Sequence, residues 1–171
     1  NNQKVENDLA KIIHSNKVMQ DKNGEHNMLL CNQSFAPFLA ANRKTEEPIL
    51  HISINPHPDD VLTDEQLIDI ADEYMQKMGF GEQPYIVFKH EDIERKHIHI
   101  VSVNVDETGR KINAFNNYRH SKKITQELEA KYKLHPADKF DYSEDIPRST
   151  KVNYEHENLQ KRIRTKLTDL T

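Results

Sequence analysis

With 171 residues the chain fits one domain, or one domain with an appendage, and is long enough to bury a core. Charged residues at 30% and apolar ones at 35% exclude a wholly disordered chain, and no apolar run reaches the roughly 20 residues of a membrane span. A net charge of −4 gives no general affinity for nucleic acid, so such a role would need a local basic surface.

The opening residues, NNQKVENDLAKIIHSNKV, do not read as a secretory segment, and Val5, Leu9, Ile12 and Ile13 are spaced as in a helix. A polar loop, QDKNGEHN, precedes SFAPFLAANRK, which is expected as a short helix capped by Ser34 and burying Phe35, Phe38 and Leu39. The lone Cys31 rules out an intramolecular disulfide, fits a reducing cytoplasm and reads as a small packed residue. Residues 49–55, ILHISIN, form a strand with Ile49, His51, Ser53 and Asn55 on one face and Leu50, Ile52 and Ile54 on the other. PHPDD is a turn. Thr63 with Gln66 then makes a capping box, and Leu67, Ile70, Ala71, Tyr74 and Met78 give a helical stripe closed by Gly79. QPYIVFKH and KHIHIVSVNV are the next two strands, and DETGRK is a hairpin turn to a short return strand at Lys111 and Ile112. SKKITQELEAKY, capped by Ser121, is a further helix. Residues 1–135 are thus expected to form one domain, and residues 136–171 a polar arm with a helix from about Tyr154. Strands alternating with helices and tight turns predict an α/β (α+β) sandwich with a mainly antiparallel central sheet flanked by helices.

Within the third strand His97 and His99 face the same way, about 7 Å apart along the backbone. The EDIER linker is short enough for a hairpin that returns His90 toward them. Three imidazoles so placed can hold one divalent ion and leave positions open for substrate, with Asp92 or Glu91 available to orient a ring. The alternative is that these are ordinary half-buried histidines satisfied by hydrogen bonds. His51, on the polar face of a neighbouring strand, can add a fourth imidazole to the region.

HEDIERKHIH resembles the His-x-Asp-(four residues)-His-x-His signature of HUH endonucleases, specifically of plasmid and transposon relaxases, with Ile98 as the bulky apolar residue. The flanks are similar too: LHISINPHPDDVLTDEQLIDIADEYMQKMGFGEQPYIVFKH before it, VSVNVDETGRKI and NYRHSKKITQELEAKYKL after it. The likeness is greatest to mobilisation proteins of Bacteroides-type elements. It implies metal-dependent nicking of single-stranded origin-of-transfer DNA by tyrosine transesterification, with a 5′-phosphotyrosine intermediate. It also implies one divalent ion (Mn, Mg or Zn) on His90, His97 and His99, an accessory nicking protein, a coupling ATPase and a bacterial cytoplasmic setting without membrane insertion. In this resemblance NNQKV places the nucleophilic tyrosine, with the first strand, just before Asn1. Tyr118 is the least implausible stand-in among the six tyrosines present. Asp59 and Asp60 stand where relatives often carry a Glu near the metal.

For DNA contact the candidates are Arg110 with Lys111, the run from Tyr118 through Arg119 to Lys122 and Lys123, and the basic residues of 161–166. Tyr118 can stack on an unpaired base while its basic neighbours track phosphates. Lys122 and Lys123 read equally well as ordinary solvated helix residues. Two rival functions remain. One is a relaxase-like module that binds single-stranded DNA without cutting it. The other is a two-histidine RNA phosphoesterase, for which HISI supplies one His-x-Ser motif and the chain no second.

Overall fold

Apolar and polar residues alternating at period two, then recurring at helical spacing, build a sheet with helices on both faces. The structure is a computed structural model and describes residues 10–42, 44–45, 47–90, 96–112 and 117–136. These comprise β1 (Ala10–Asn16), α1 (Met28–Ala41), β2 (Ile49–Ile54), α2 (Asp64–Lys77), β3 (Tyr85–His90), β4 (His97–Val103) and α3 (Asn117–Tyr132). The strands form one sheet in the order β1-β3-β4-β2, with every neighbouring pair antiparallel. The expected antiparallel α+β architecture is therefore present, whereas the proposed arm and its helix from Tyr154 lie outside the described residues.

Pairing register assigns the two faces. Ile86, Phe88 and His90 of β3 share one face with His97, His99, Val101 and Val103 of β4. Tyr85, Val87, Ile98 and Ile100 turn to the other. The second face carries the larger core, in which Leu67, Ile70, Ala71, Tyr74 and Met75 of α2 and Ile124 and Leu128 of α3 pack on Val87, Ile98 and Ile100. Removing each of the Leu, Ile, Val and Met side chains among these from water contributes about 1.5–3 kcal/mol. The first face is covered by α1 along part of its length, through Cys31 and Phe35 against Ile86, Phe88 and Val103. Cys31 is fully packed, and burial pushes its thiol pKa up, so it is an inert core residue.

Three sequence expectations need correction. The residues expected to end an N-terminal helix form β1 instead. Ile12 packs on the α1 side and Ile13 on the α2 side, and the pairing register shifts between Ile12 and His14. Two adjacent apolar residues thus serve two layers, which a strand with a bulge can do and one helical stripe cannot. Helix α1 starts well before Ser34. Asn27 is its cap, accepting from the Leu30 N–H at 2.9 Å, while the Ser34 hydroxyl donates to the Leu30 carbonyl and accepts from the Met19 N–H. Helix α3 likewise begins at Asn117, and Ser121 uses its hydroxyl on the Tyr74 hydroxyl (2.8 Å) rather than as a cap. The capping box of α2 is formed as expected, with Thr63 and Gln66 exchanging hydrogen bonds of 3.0 and 3.2 Å. Glu73, bonded to Lys131 and 3.4 Å from Lys77, ties α2 to α3, and these ammonium groups hold its carboxyl below the usual range.

Candidate metal centre

Beyond the cover of α1 the same sheet face changes character, from Phe88 to His90 along β3 and from Val101 to His99 along β4. His90 and His97 are directly opposed across the β3–β4 pair, and Phe88 stands opposite His99. The alternation of β4 sends His97 and His99 to one side with Ile98 sunk in the core behind them. The ring centroids lie 5.2 Å apart for His90 and His97, 4.3 Å for His90 and His99, and 5.1 Å for His97 and His99. One ring nitrogen from each falls within 4.8 Å of the others. Donors sharing one ion at about 2 Å are themselves about 3.3 Å apart, so the separations are of the order that a shared ion needs. Among the described residues His90 and His97 are buried and His99 is half-buried, which makes His99 the most accessible of the three. Neutral imidazoles in this arrangement suit a transition-metal or zinc ion, so the donor set fits the metal that the sequence resemblance implies.

His51 reaches the same place from β2. Its Nε2 is 3.0 Å from His99 Nδ1, and the two rings stack at 4.9 Å with an interplanar angle of 10°. It is outside the group of three that meets within 4.8 Å, so it touches a candidate ligand without joining the set. Ser53, exposed beside it, pairs in register with His99 and accepts from Asn55 Nδ2 at 3.0 Å.

The other candidate residues are dispersed. Asp92 and Glu91 lie outside the described residues. Asp59 is exposed and sits 3.6 Å from His57 Nδ1. The Asp60 side chain is buried and accepts from both the backbone N–H (3.2 Å) and Nδ1 (2.7 Å) of His135, just after α3, while His135 stacks on His57. Arg110 and Lys111 belong to the hairpin turn after β4, where Asp106 accepts the Arg110 N–H and Val105 bridges to Lys111. Tyr118 is 78% exposed on the first turn of α3, beside exposed Arg119 and Lys122, with Lys123 3.9 Å from Glu127.

That end of α3 is anchored to the C-terminal end of α2: the His120 ring donates to the Lys77 carbonyl at 3.0 Å. The N-terminal end of α2 instead lies by the histidines, since Asp64 binds Lys89, the neighbour of His90, at 2.8 Å. Tyr118 lies beside Leu50, Ile52 and Tyr74, so the start of α3 is on the sheet face opposite the imidazoles. The remaining described tyrosines also belong to the α2–α3 side. Tyr74 bonds Ser121, Tyr132 reaches Glu73 at 3.4 Å, and Tyr85 donates to Asp72 with burial raising its pKa well above the ordinary phenol. Tyr142 and Tyr154 lie outside the described residues.

Sequence reading missed three basic residues near the site, Lys11, Lys89 and Lys96. The signal was present in the lysine immediately preceding His90 and the one immediately preceding His97. Lys11 could be placed only once β1 was recognised as the strand beside β3.

A sheet of antiparallel strands with three converging imidazoles on one face and helices packed on both defines an α+β domain with a candidate metal centre, a fold consistent with a histidine-centred nuclease. The family model for relaxases, described as MobA/VirD2-like, nuclease domain, matches residues 3–134, and the chain belongs to that family. No curated protein and no solved structure matches it. Membership carries DNA binding and strand nicking in general terms. Among the described residues no helix is long and apolar enough to cross a membrane.

Proposed function

We propose that the chain is the nuclease domain of a mobilisation relaxase that nicks one strand of origin-of-transfer DNA, of the kind carried by Bacteroides-type elements. The observation that carries this reading is the meeting of His90, His97 and His99 within 4.8 Å in a chain of the relaxase family. These residues would hold one divalent ion, Mn, Mg or Zn, which when bound supplies Lewis-acid polarisation of the scissile phosphate. The protein contributes the rest. The sheet fixes the three rings on adjacent strands. Phe88 and the α1 contacts close the apolar side, and the open side beside His51 and Ser53 admits a single strand.

A tyrosine hydroxyl gives up its proton and its oxygen attacks phosphorus. The bond to the 3′-oxygen breaks, and that oxygen takes up one proton to leave as a 3′-hydroxyl, so no net proton is gained or lost. The result is a 5′-phosphotyrosine link. Attack requires the hydroxyl at about 3–3.5 Å in line with the leaving group. The resemblance of NNQKV assigns this role to a tyrosine encoded just before Asn1. The placement of Tyr74, Tyr85, Tyr118 and Tyr132 away from the histidine face supports that assignment over any of them. His51, Asp59, Asp60 and Asp92 are proposed as neighbours of the ion or phosphate, and His51 has the support of its bond to His99. An accessory nicking protein, a coupling ATPase and a cytoplasmic setting belong to the same reading.

The test is calorimetric titration of Mn²⁺ and Zn²⁺ into the chain and its His97→Ala/His99→Ala variant, with thermal unfolding as the check on folding. One-to-one binding lost in the variant is expected, and equal binding by both would remove the centre. Incubating single-stranded origin DNA with the chain extended upstream of Asn1 should give a denaturant-resistant, metal-dependent adduct that the 171-residue chain does not form. An extended chain that binds the DNA but never forms an adduct would leave the non-cutting module as the function.

A further inference from the structure

The α3 cluster chosen from sequence for DNA contact starts beside Leu50 and Ile52 of β2, and a DNA strand crossing the histidines toward β3 and β1 meets cations there as well. The strand ends supply them. Lys11 pairs in register with Lys89, one position from the Ala10–His90 pair, and Lys96 immediately precedes His97. Because side chains alternate along a strand, each of these lysines emerges on the face opposite the imidazoles, at the rim where that face ends. Lys89 is held by Asp64 at 2.8 Å. Lys11 and Lys96 are exposed, and both lie within electrostatic reach of the same Asp64 carboxylate, which marks the three ammonium groups as one patch.

We propose that Lys11, Lys89 and Lys96 form a phosphate-binding rim beside the histidine centre, over which the backbone of a bound DNA strand passes as it leaves the site. The inference rests on the relaxase reading, and the chemistry it requires is a chain of phosphodiesters spaced to meet several ammonium groups. Asp64 offsets one of the three charges and holds Lys89 against α2. The rim therefore engages the strand mainly through Lys11 and Lys96. It is sequence-independent, since an ammonium group meets a phosphate as a point charge and reads no base.

Fluorescence anisotropy of a labelled single-stranded oligodeoxynucleotide, titrated over a range of salt concentrations, tests this on the full chain without any need for cutting. Each phosphate contact to a single strand contributes about 0.7 to the slope of log K against log salt. Lys11→Gln/Lys96→Gln should therefore flatten the slope by about 1.4 and weaken binding at low salt, while metal titration and thermal unfolding remain those of the wild type. Arg119→Gln/Lys122→Gln/Lys123→Gln should leave the slope in place. Asp64→Asn, which removes a negative charge from the patch, should tighten binding. A slope unchanged in the Lys11/Lys96 variant, or the whole loss appearing in the α3 variant, overturns the rim while the relaxase reading stands. A wild-type chain that binds no single-stranded DNA even at low salt overturns both.

Discussion

Gly109 offers a measurement of how tightly the β4 hairpin is docked on α1. It occupies the turn closed by Asp106, with φ +77°, and a Cβ added there would lie 2.3 Å from the Ala41 carbonyl oxygen and 2.9 Å from its carbon. Both obstacles are backbone at the end of α1, so no side-chain rotation relieves them. Gly79, after α2, has a similar φ of +84°, but a methyl group at that position would meet nothing within 4 Å. An alanine at either site bears the left-handed penalty of about 1–2 kcal/mol. Against that, a stiffer unfolded chain returns about 0.4–1 kcal/mol. Gly79→Ala should therefore cost about 1 kcal/mol. Gly109→Ala adds displacement of the turn or of α1, in the range of about 1–3 kcal/mol for overpacking. Urea denaturation of both variants at neutral pH, with unchanged m-values, reads the difference directly. Equal destabilisation of the two would refute the claim that the hairpin is pressed against the end of α1.

Three further outcomes are expected. His51→Phe, which keeps a stacked ring but removes the partner of His99 Nδ1, should weaken metal binding by about 10–100-fold in a calorimetric titration, with His51→Gln recovering much of it. Thr63→Ala should cost about 1 kcal/mol in chemical denaturation through loss of the cap at α2, with metal stoichiometry unchanged. The Glu73 carboxyl is depressed chiefly by its hydrogen bond to Lys131, so its contribution is present above the ordinary Glu pKa of about 4.3 and is lost as pH falls through the lower folded value. Glu73→Gln should accordingly remove stability at neutral pH and shrink the stability change on acidification below about pH 4, as followed by thermal unfolding across pH.

The elements that depend on local chemistry were legible in the sequence. The capping box and stripe of α2 needed only their own residues, and the alternation of ILHISIN and HIHIVSV fixed which side chains share a face. The same alternation, with the short linker after His90, was enough to bring three imidazoles together. What failed were elements whose identity is decided by a partner. KIIHS is a strand because β3 offers an edge and two packed layers want one isoleucine each. For α1, by contrast, the start signal was present in Asn27 followed by the helix-favouring Met28, Leu29 and Leu30, and was passed over in favour of Ser34. The position of Tyr118 and its basic neighbours could not be read either, because it depends on which end of α2 receives α3, and that is set by contacts such as His120 on Lys77.

The border on the first sheet face, between Phe88 and the imidazoles, bears on the direction of electric fields. Phe88, Ile86 and Val103 on one side and Ile98 behind form a poorly polarisable wall, all of them essentially inaccessible to solvent. A unit charge 4 Å from another interacts by about 1 kcal/mol through water but about 4 kcal/mol at an effective dielectric of 20. A cation held by the three histidines and backed by such a wall would have its field lines expelled from the protein side and gathered toward the exposed His51 and Ser53, as in clefts with low-dielectric walls. The packing of α1, through Cys31 and Phe35 on Ile86, Phe88 and Val103, thereby shapes how strongly a cation held there would be felt by an approaching anion.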